Sequence, residues 1–140
     1  MRKYKLHTNY KQILADTITP VSVYLKIRDK FPNSILLESS DYHANDNSFS
    51  YICFNPIASI KVENQKIETN FPDGFSEIIP IDTGVNVAKE IENFSNQFQT
   101  EKSDFKFITQ GLFGYLAYDA IQYFENSKNS HFYINKRIRL

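Results

Sequence analysis

Apolar and polar residues follow several rhythms along this chain, and each rhythm predicts a kind of element. From Lys3 to Thr17 the apolar positions Tyr4, Leu6, Ile13 and Leu14 keep no single period, which predicts a strand and then an irregular link. Thr19-Pro20 supplies an N-cap and a proline at the first helical position, where its missing N–H is not needed. Val21, Tyr24, Leu25 and Phe31 recur near the helical period, with Lys26, Arg28, Asp29 and Lys30 mainly opposite. The spacing predicts a helix over Pro20 to Phe31, stopped by Pro32-Asn33. Ile35-Leu36-Leu37 is a continuous apolar run, as expected of a strand covered on both faces. A polar loop follows over Ser40 to Ser48, rich in Asp and Asn, whose side chains favour turns.

Phe49 to Phe54 alternates Phe49, Tyr51 and Cys53 with Ser50, Ile52 and Phe54, a strand pattern ended by Pro56. Ile57 to Val62 and Gln65 to Thr69, joined by Glu63-Asn64, predict a β-hairpin. Phe71-Pro72-Asp73-Gly74 predicts a turn, and Phe75 to Ile81 an edge strand whose ladder Pro80 limits. Val87, Ile91, Phe94 and Phe98 step by four, three and four residues, so a second helix is expected over Thr83 to Phe98. Gly111 and Gly114 sit among strand-type residues, and the spacing turns helical after Tyr118-Asp119, with Ala117, Ala120, Ile121 and Phe124 on one side. His131 to Ile134 is a last strand-like run before Lys136, Arg137 and Arg139. The expected class is α+β: an antiparallel sheet from Ile35 to about Ile81, with flanking helices.

Composition changes this picture little. The 140 residues suit one domain and, at 41% hydrophobic and 15% aromatic, can bury a core. Sixteen basic residues cancel 16 acidic ones, leaving no global field that would draw nucleic acid or a membrane surface. No apolar run approaches the ~18 residues of a membrane span, and the start lacks the apolar middle of a signal peptide, so a cytoplasmic location is expected. Cys53 is the one cysteine and excludes an internal disulfide framework.

Candidate chemistry is sparse. His7, His43 and His131 are far apart in sequence and belong to no ligand-spaced cluster, so no metal site is expected. Cys53, mid-strand among aromatics, suits a small buried hydrophobe better than a nucleophile. Gly111 and Gly114 lack the third glycine of a dinucleotide fingerprint. The basic end, with Lys128, Lys136, Arg137 and Arg139, suits either phosphate or simple solvation. Glu38 and Ser39 stand out because a glutamate directly after three apolar residues must be paired or reach water. Two readings stay open there: a capping interaction at a strand end, or a site where the Ser39 hydroxyl and nearby backbone receive a small zwitterion.

Three segments coincide in order: Thr19-Pro20-Val21-Ser22-Val23-Tyr24-Leu25-Lys26, then Leu36-Leu37-Glu38-Ser39 with Phe49-Ser50-Tyr51-Ile52, then Gly111-Leu112-Phe113-Gly114-Tyr115-Leu116-Ala117-Tyr118-Asp119-Ala120. Together they resemble the N-terminal region of anthranilate synthase component I over roughly residues 1 to 125. The Thr-Pro-Val opening favours that family over para-aminobenzoate synthase component I and isochorismate or salicylate synthases.

The resemblance implies conversion of chorismate and ammonia to anthranilate and pyruvate with Mg²⁺, the ammonia coming from glutamine through a partner amidotransferase, component II. It also implies feedback inhibition by L-tryptophan at a site to which Leu37, Glu38, Ser39, Phe49 and Ser50 would contribute. Ser48-Phe49-Ser50 departs from the family's arginine-tyrosine-serine pattern and lacks its charge. Chorismate and Mg²⁺ ligands lie in the family's C-terminal half, which nothing here matches. The expectation is therefore an N-terminal regulatory part, truncated or separately encoded, with no catalytic or metal residues of its own and a two-sheet sandwich shared with the missing half. A free-standing amino-acid-binding module, or the N-terminal part of para-aminobenzoate synthase component I, is the alternative.

Overall fold

The hairpin forms as the turn chemistry requires, shifted by one residue. In the computed structural model, which describes residues 2–38, 49–101, 104–105, 107–124 and 138–139, the elements β1 (Tyr4–Leu6), α1 (Pro20–Ile27), β2 (Ile35–Glu38), β3 (Ser50–Cys53), β4 (Ser59–Glu63), β5 (Lys66–Asn70) and β6 (Ser76–Pro80) come first. After them come α2 (Val87–Ser95), β7 (Phe98–Thr100), β8 (Tyr115–Leu116), a 3₁₀ helix (Tyr118–Tyr123) and β9 (Ile138–Arg139). β4 and β5 pair with Glu63 opposite Lys66, so the turn residues are Asn64 and Gln65, not the expected Glu63-Asn64. Both have positive φ, 52° and 57°, which matches the twist of the flanking strands.

The chain divides into two compact units, one made of Met1–His7, Ile57–Asp104 and Thr109–Leu140, the other of Thr8–Pro56 and Phe105–Ile108. In the first, a five-stranded antiparallel sheet runs in the order β6, β5, β4, β9, β8. Strand alternation turns Ile60, Val62, Ile67 and Thr69 inward, and Val87 and Phe94 of α2 join them in the core with Phe71 and Ala120. β1 and β7 form a separate parallel pair with Tyr4 opposite Phe98. The antiparallel sheet expected from Ile35 to Ile81 is thus two: β2 and β3 pair in one unit, β4 to β6 in the other.

Both helices are shorter than their apolar patterns. At α1 the Thr19 Oγ1 accepts the Ser22 N–H at 3.1 Å, and Ser22 Oγ accepts the Thr19 N–H at 3.2 Å, closing a capping box. The helix ends at Ile27 rather than Phe31: the N–H groups of Lys30 and Phe31 both go to the Ile27 carbonyl, and Pro32 disfavours helical backbone at Phe31. Ahead of α2, Asp82 Oδ1 accepts the Gly84 N–H at 2.8 Å in a local turn, and Asn86 is the cap, its side chain accepting the Lys89 N–H at 2.9 Å. Helix α2 therefore starts at Val87, not Thr83, and Phe98 leaves it for β7. That ring still reaches the core, 5.3 Å from Phe94 and 5.5 Å from Tyr4. Gly111 and Gly114 precede β8 instead of lying inside a strand, and of the expected apolar side after Tyr118 only Ala120 is buried, while Ile121 and Phe124 are exposed.

The turn at Phe71 to Gly74 is held at both ends. Gly74 takes φ 81°, the left-handed region that glycine enters without strain, and Asp73 Oδ1 accepts the Phe75 N–H at 3.0 Å. Asp73 Oδ2 receives Arg2 at 2.9 Å and the Tyr4 hydroxyl at 3.1 Å, while the Arg2 guanidinium lies 3.7 Å from the Phe75 ring centre. The Phe75 N–H first, then Tyr4 and Arg2, hold the Asp73 carboxyl below the usual carboxylate range. A depressed folded value adds stability that is present above the ordinary aspartate value of about 4 and is lost as pH falls through the folded one. Thermal unfolding of the protein and of Asp73→Asn should therefore differ most at neutral pH and converge in acid; a gap that persists in acid contradicts this.

In the unit of Thr8–Pro56 and Phe105–Ile108, α1 packs on β2 and β3, yet no side chain of α1 is fully buried. Ile35, Leu36 and Leu37 are only half-buried, so the expectation of a strand covered on both faces is corrected: the described residues of this unit do not bury the run. The last strand-like run, His131 to Ile134, lies outside the described residues.

Candidate functional site

β2 and β3 position the residues singled out from sequence. Their antiparallel register sets Glu38 opposite Ser50 and Leu37 opposite Tyr51, so the last pair of the ladder joins a carboxylate to a hydroxyl. Both are exposed, as polar groups at the open end of a two-stranded ladder should be, whereas Leu37 is half-buried. Phe49 stands one residue before β3, half-buried. Of the five expected site residues the structure pairs Glu38 with Ser50, while Leu37 faces the other way opposite Tyr51, Phe49 only adjoins Ser50 along the chain, and Ser39 lies outside the described residues.

A neighbour that sequence reasoning did not single out is the segment Phe105–Ile108. The Ile108 N–H donates to Tyr51 Oη at 3.1 Å, and the Phe107 ring centre is 5.6 Å from that of Phe49. Phe105 stacks on Phe107 at 5.0 Å, and Tyr10 meets Phe105 edge-on at 4.9 Å. The period-two spacing of Phe105 and Phe107 was the available signal, but it says nothing of which strand the rings would meet.

In the other unit a cleft of about 360 Å³ lies among Leu6, Ala58, Phe94, Phe98, Asn96 and Gln110. Among the described residues no titratable side chain lines it, so they offer no group for proton transfer there. Burial pushes the Cys53 thiol above its ordinary value, opposite to what a nucleophile requires. His7 Nδ1 sits 3.0 Å from Glu101 Oε1, an exposed pair. Among the described residues, no group of three or more His, Cys, Asp or Glu side chains is placed to hold a metal ion such as Mg²⁺. No helix among them is long and apolar enough to cross a membrane.

The described residues thus present an α+β chain whose β2–β3 ladder ends in an exposed carboxylate and hydroxyl. Its relatives carry the identity further. The chain is 34% identical over 117 residues to anthranilate synthase component 1 of Lactococcus lactis, a match covering 82% of this chain and 23% of that protein. It is 33% identical over 119 residues to the Bacillus subtilis protein of the same name (83% and 22%) and 32% identical over 117 residues to that of Neisseria meningitidis (83% and 23%). By sequence the chain belongs with anthranilate synthase component 1, and it spans about a quarter of the length of these curated relatives. No protein-family model matches it, and no solved structure matches significantly.

Proposed function

We propose that this chain is an N-terminal regulatory and structural part of anthranilate synthase component I, and that it carries part of a tryptophan feedback site at the open end of β2 and β3. The observation that carries the reading is the match to anthranilate synthase component 1 over most of this chain but about a quarter of each relative. The exposed Glu38–Ser50 pair at the open end of the ladder supports the placement of the site, because a carboxylate there attracts an α-ammonium. In this reading, chorismate and ammonia become anthranilate and pyruvate only with the remainder of the protein. That remainder would bind Mg²⁺, and a glutamine amidotransferase subunit would supply the ammonia.

The chain contains no tryptophan, so added L-tryptophan is the only indole fluorophore in a binding experiment. Its emission, excited beyond tyrosine absorption, should shift to the blue and gain anisotropy in saturable fashion as the chain is added. Unchanged emission at every chain concentration would overturn the feedback-site reading.

A further inference from the structure

We propose that the cleft of about 360 Å³ in the unit of the five-stranded sheet is a binding site for a small uncharged ring compound bearing a carboxamide. All of its walls belong to that one unit, and the proposal does not depend on the tryptophan-site reading.

How the walls are fixed is the first observation. The end of β1, the residues ahead of β4, the end of α2, β7 and the segment ahead of β8 converge on the cleft, and Leu6, Ala58, Phe94 and Phe98 form much of its apolar part. Phe94 and Phe98 belong to the aromatic cluster of this unit: the Phe71 ring centre is 5.2 Å from that of Phe94, and the Tyr4 ring centre 5.5 Å from that of Phe98. The apolar floor is therefore held by the core before any ligand arrives, and binding orders little of the protein. The volume is at the lower end of the ~300–1,000 Å³ of small-molecule pockets, which suits a molecule of one or two rings.

Charge is the second. Among the described residues no ionisable side chain lines the cleft, and His7 and Glu101, which follow Leu6 and Thr100 in the chain, meet each other at 3.0 Å. A charged ligand would shed water there and gain no counter-charge. The end of α2 adds a direction to this: Ser95 closes the helix, Asn96 caps it, and both line the cleft. The partial negative charge of a helix C-terminus disfavours a carboxylate and favours an N–H donor. Asn96 and Gln110 complete the match, because each side-chain amide offers donors and an acceptor, and a carboxamide presents the same two kinds of group on one edge.

The test is a nuclear magnetic resonance titration of the isotope-labelled full chain with benzamide, benzoate and benzamidinium, which share a shape and differ in charge, and with toluene, which lacks the polar group. Benzamide should shift the signals of Ala58, Phe98 and Gln110 saturably, in the millimolar range that suits so small a probe, and bind about tenfold or more tighter than either ion. Gln110→Leu and Asn96→Ala, their folds checked by circular dichroism, should each weaken benzamide about three- to tenfold, the range of one neutral hydrogen bond, without weakening toluene. Equal binding of the three shape-matched probes, tighter binding of either ion, no saturable shift, or shifts confined to other residues overturns the proposal on the unaltered chain, with no variant needed. Variants that leave benzamide unchanged, or that weaken toluene as much as benzamide, also overturn it. None of these outcomes bears on the tryptophan-site reading, which the fluorescence experiment decides separately.

Discussion

Replacing Phe94 with alanine should lower the unfolding free energy by about 3–5 kcal/mol, the range for deleting a buried phenylalanine and leaving part of its cavity. Phe94 is 2% exposed, and its ring centre lies 5.2 Å from that of Phe71 and 5.3 Å from that of Phe98. Because Phe71 and Phe98 in turn face Tyr4, one truncation removes the common contact of a cluster drawn from α2, β1, β7 and the Phe71 turn. Such a cluster collapses poorly around a void, which places the loss in the upper part of that range. Urea unfolding followed by far-ultraviolet circular dichroism measures it. Lys89→Ala, on the exposed side of the same helix with its ammonium paired to Glu92, should cost no more than about 0.5 kcal/mol. Similar losses for the two variants would show that the aromatic cluster is not what holds α2 in place.

The second large effect concerns activity. Supplied with chorismate, ammonia and Mg²⁺, the chain alone should produce no anthranilate fluorescence above the uncatalysed background. The prediction follows from the proposed function and from chemistry. Catalysis needs acids, bases or a metal positioned at the reacting atoms, and among the described residues the cleft of the first unit has no titratable lining. At β2 and β3 the described groups are the exposed Glu38 carboxylate and a set of aromatic rings. Anthranilate formed by the purified chain would overturn the assignment of a regulatory part. Mixing the chain with the remainder of a component I protein separates the two function classes. Restored, tryptophan-sensitive activity supports the regulatory part, whereas tryptophan binding without any restored activity favours the free-standing binding module.

Much of the local structure was legible because it rests on neighbours in sequence. Thr19-Pro20 announces α1 since an N-cap and a first-turn proline act within one helical turn, and Pro72-Asp73-Gly74 announces its turn for the same reason. Boundaries were less legible where two elements satisfy one pattern. Phe98 lies four residues beyond Phe94, so a longer α2 and a separate β7 both deliver its ring to the core, and only the Asn96 cap and the pairing with β1 decide between them. The parallel pairing of β1 with β7 had no sequence signal at all, because parallel partners are far apart along the chain. The candidate site divides the same way. Leu37 and Glu38 were readable as an apolar run meeting a carboxylate, but Phe107 and Phe49 are too distant along the chain for any local pattern to pair them.

By itself, then, the sequence determined the α+β class, the hairpin, the N-cap of α1 and the kinship with anthranilate synthase component 1, since propensity, period and motif order are all properties of the chain read in line. Tertiary structure alone decided which strands share a sheet, that the apolar run at Ile35 to Leu37 is only half covered, and that Phe105 and Phe107 stand beside Phe49. Those outcomes depend on contacts between distant segments, whose free energy comes from burial and pairing across space, which no local pattern encodes.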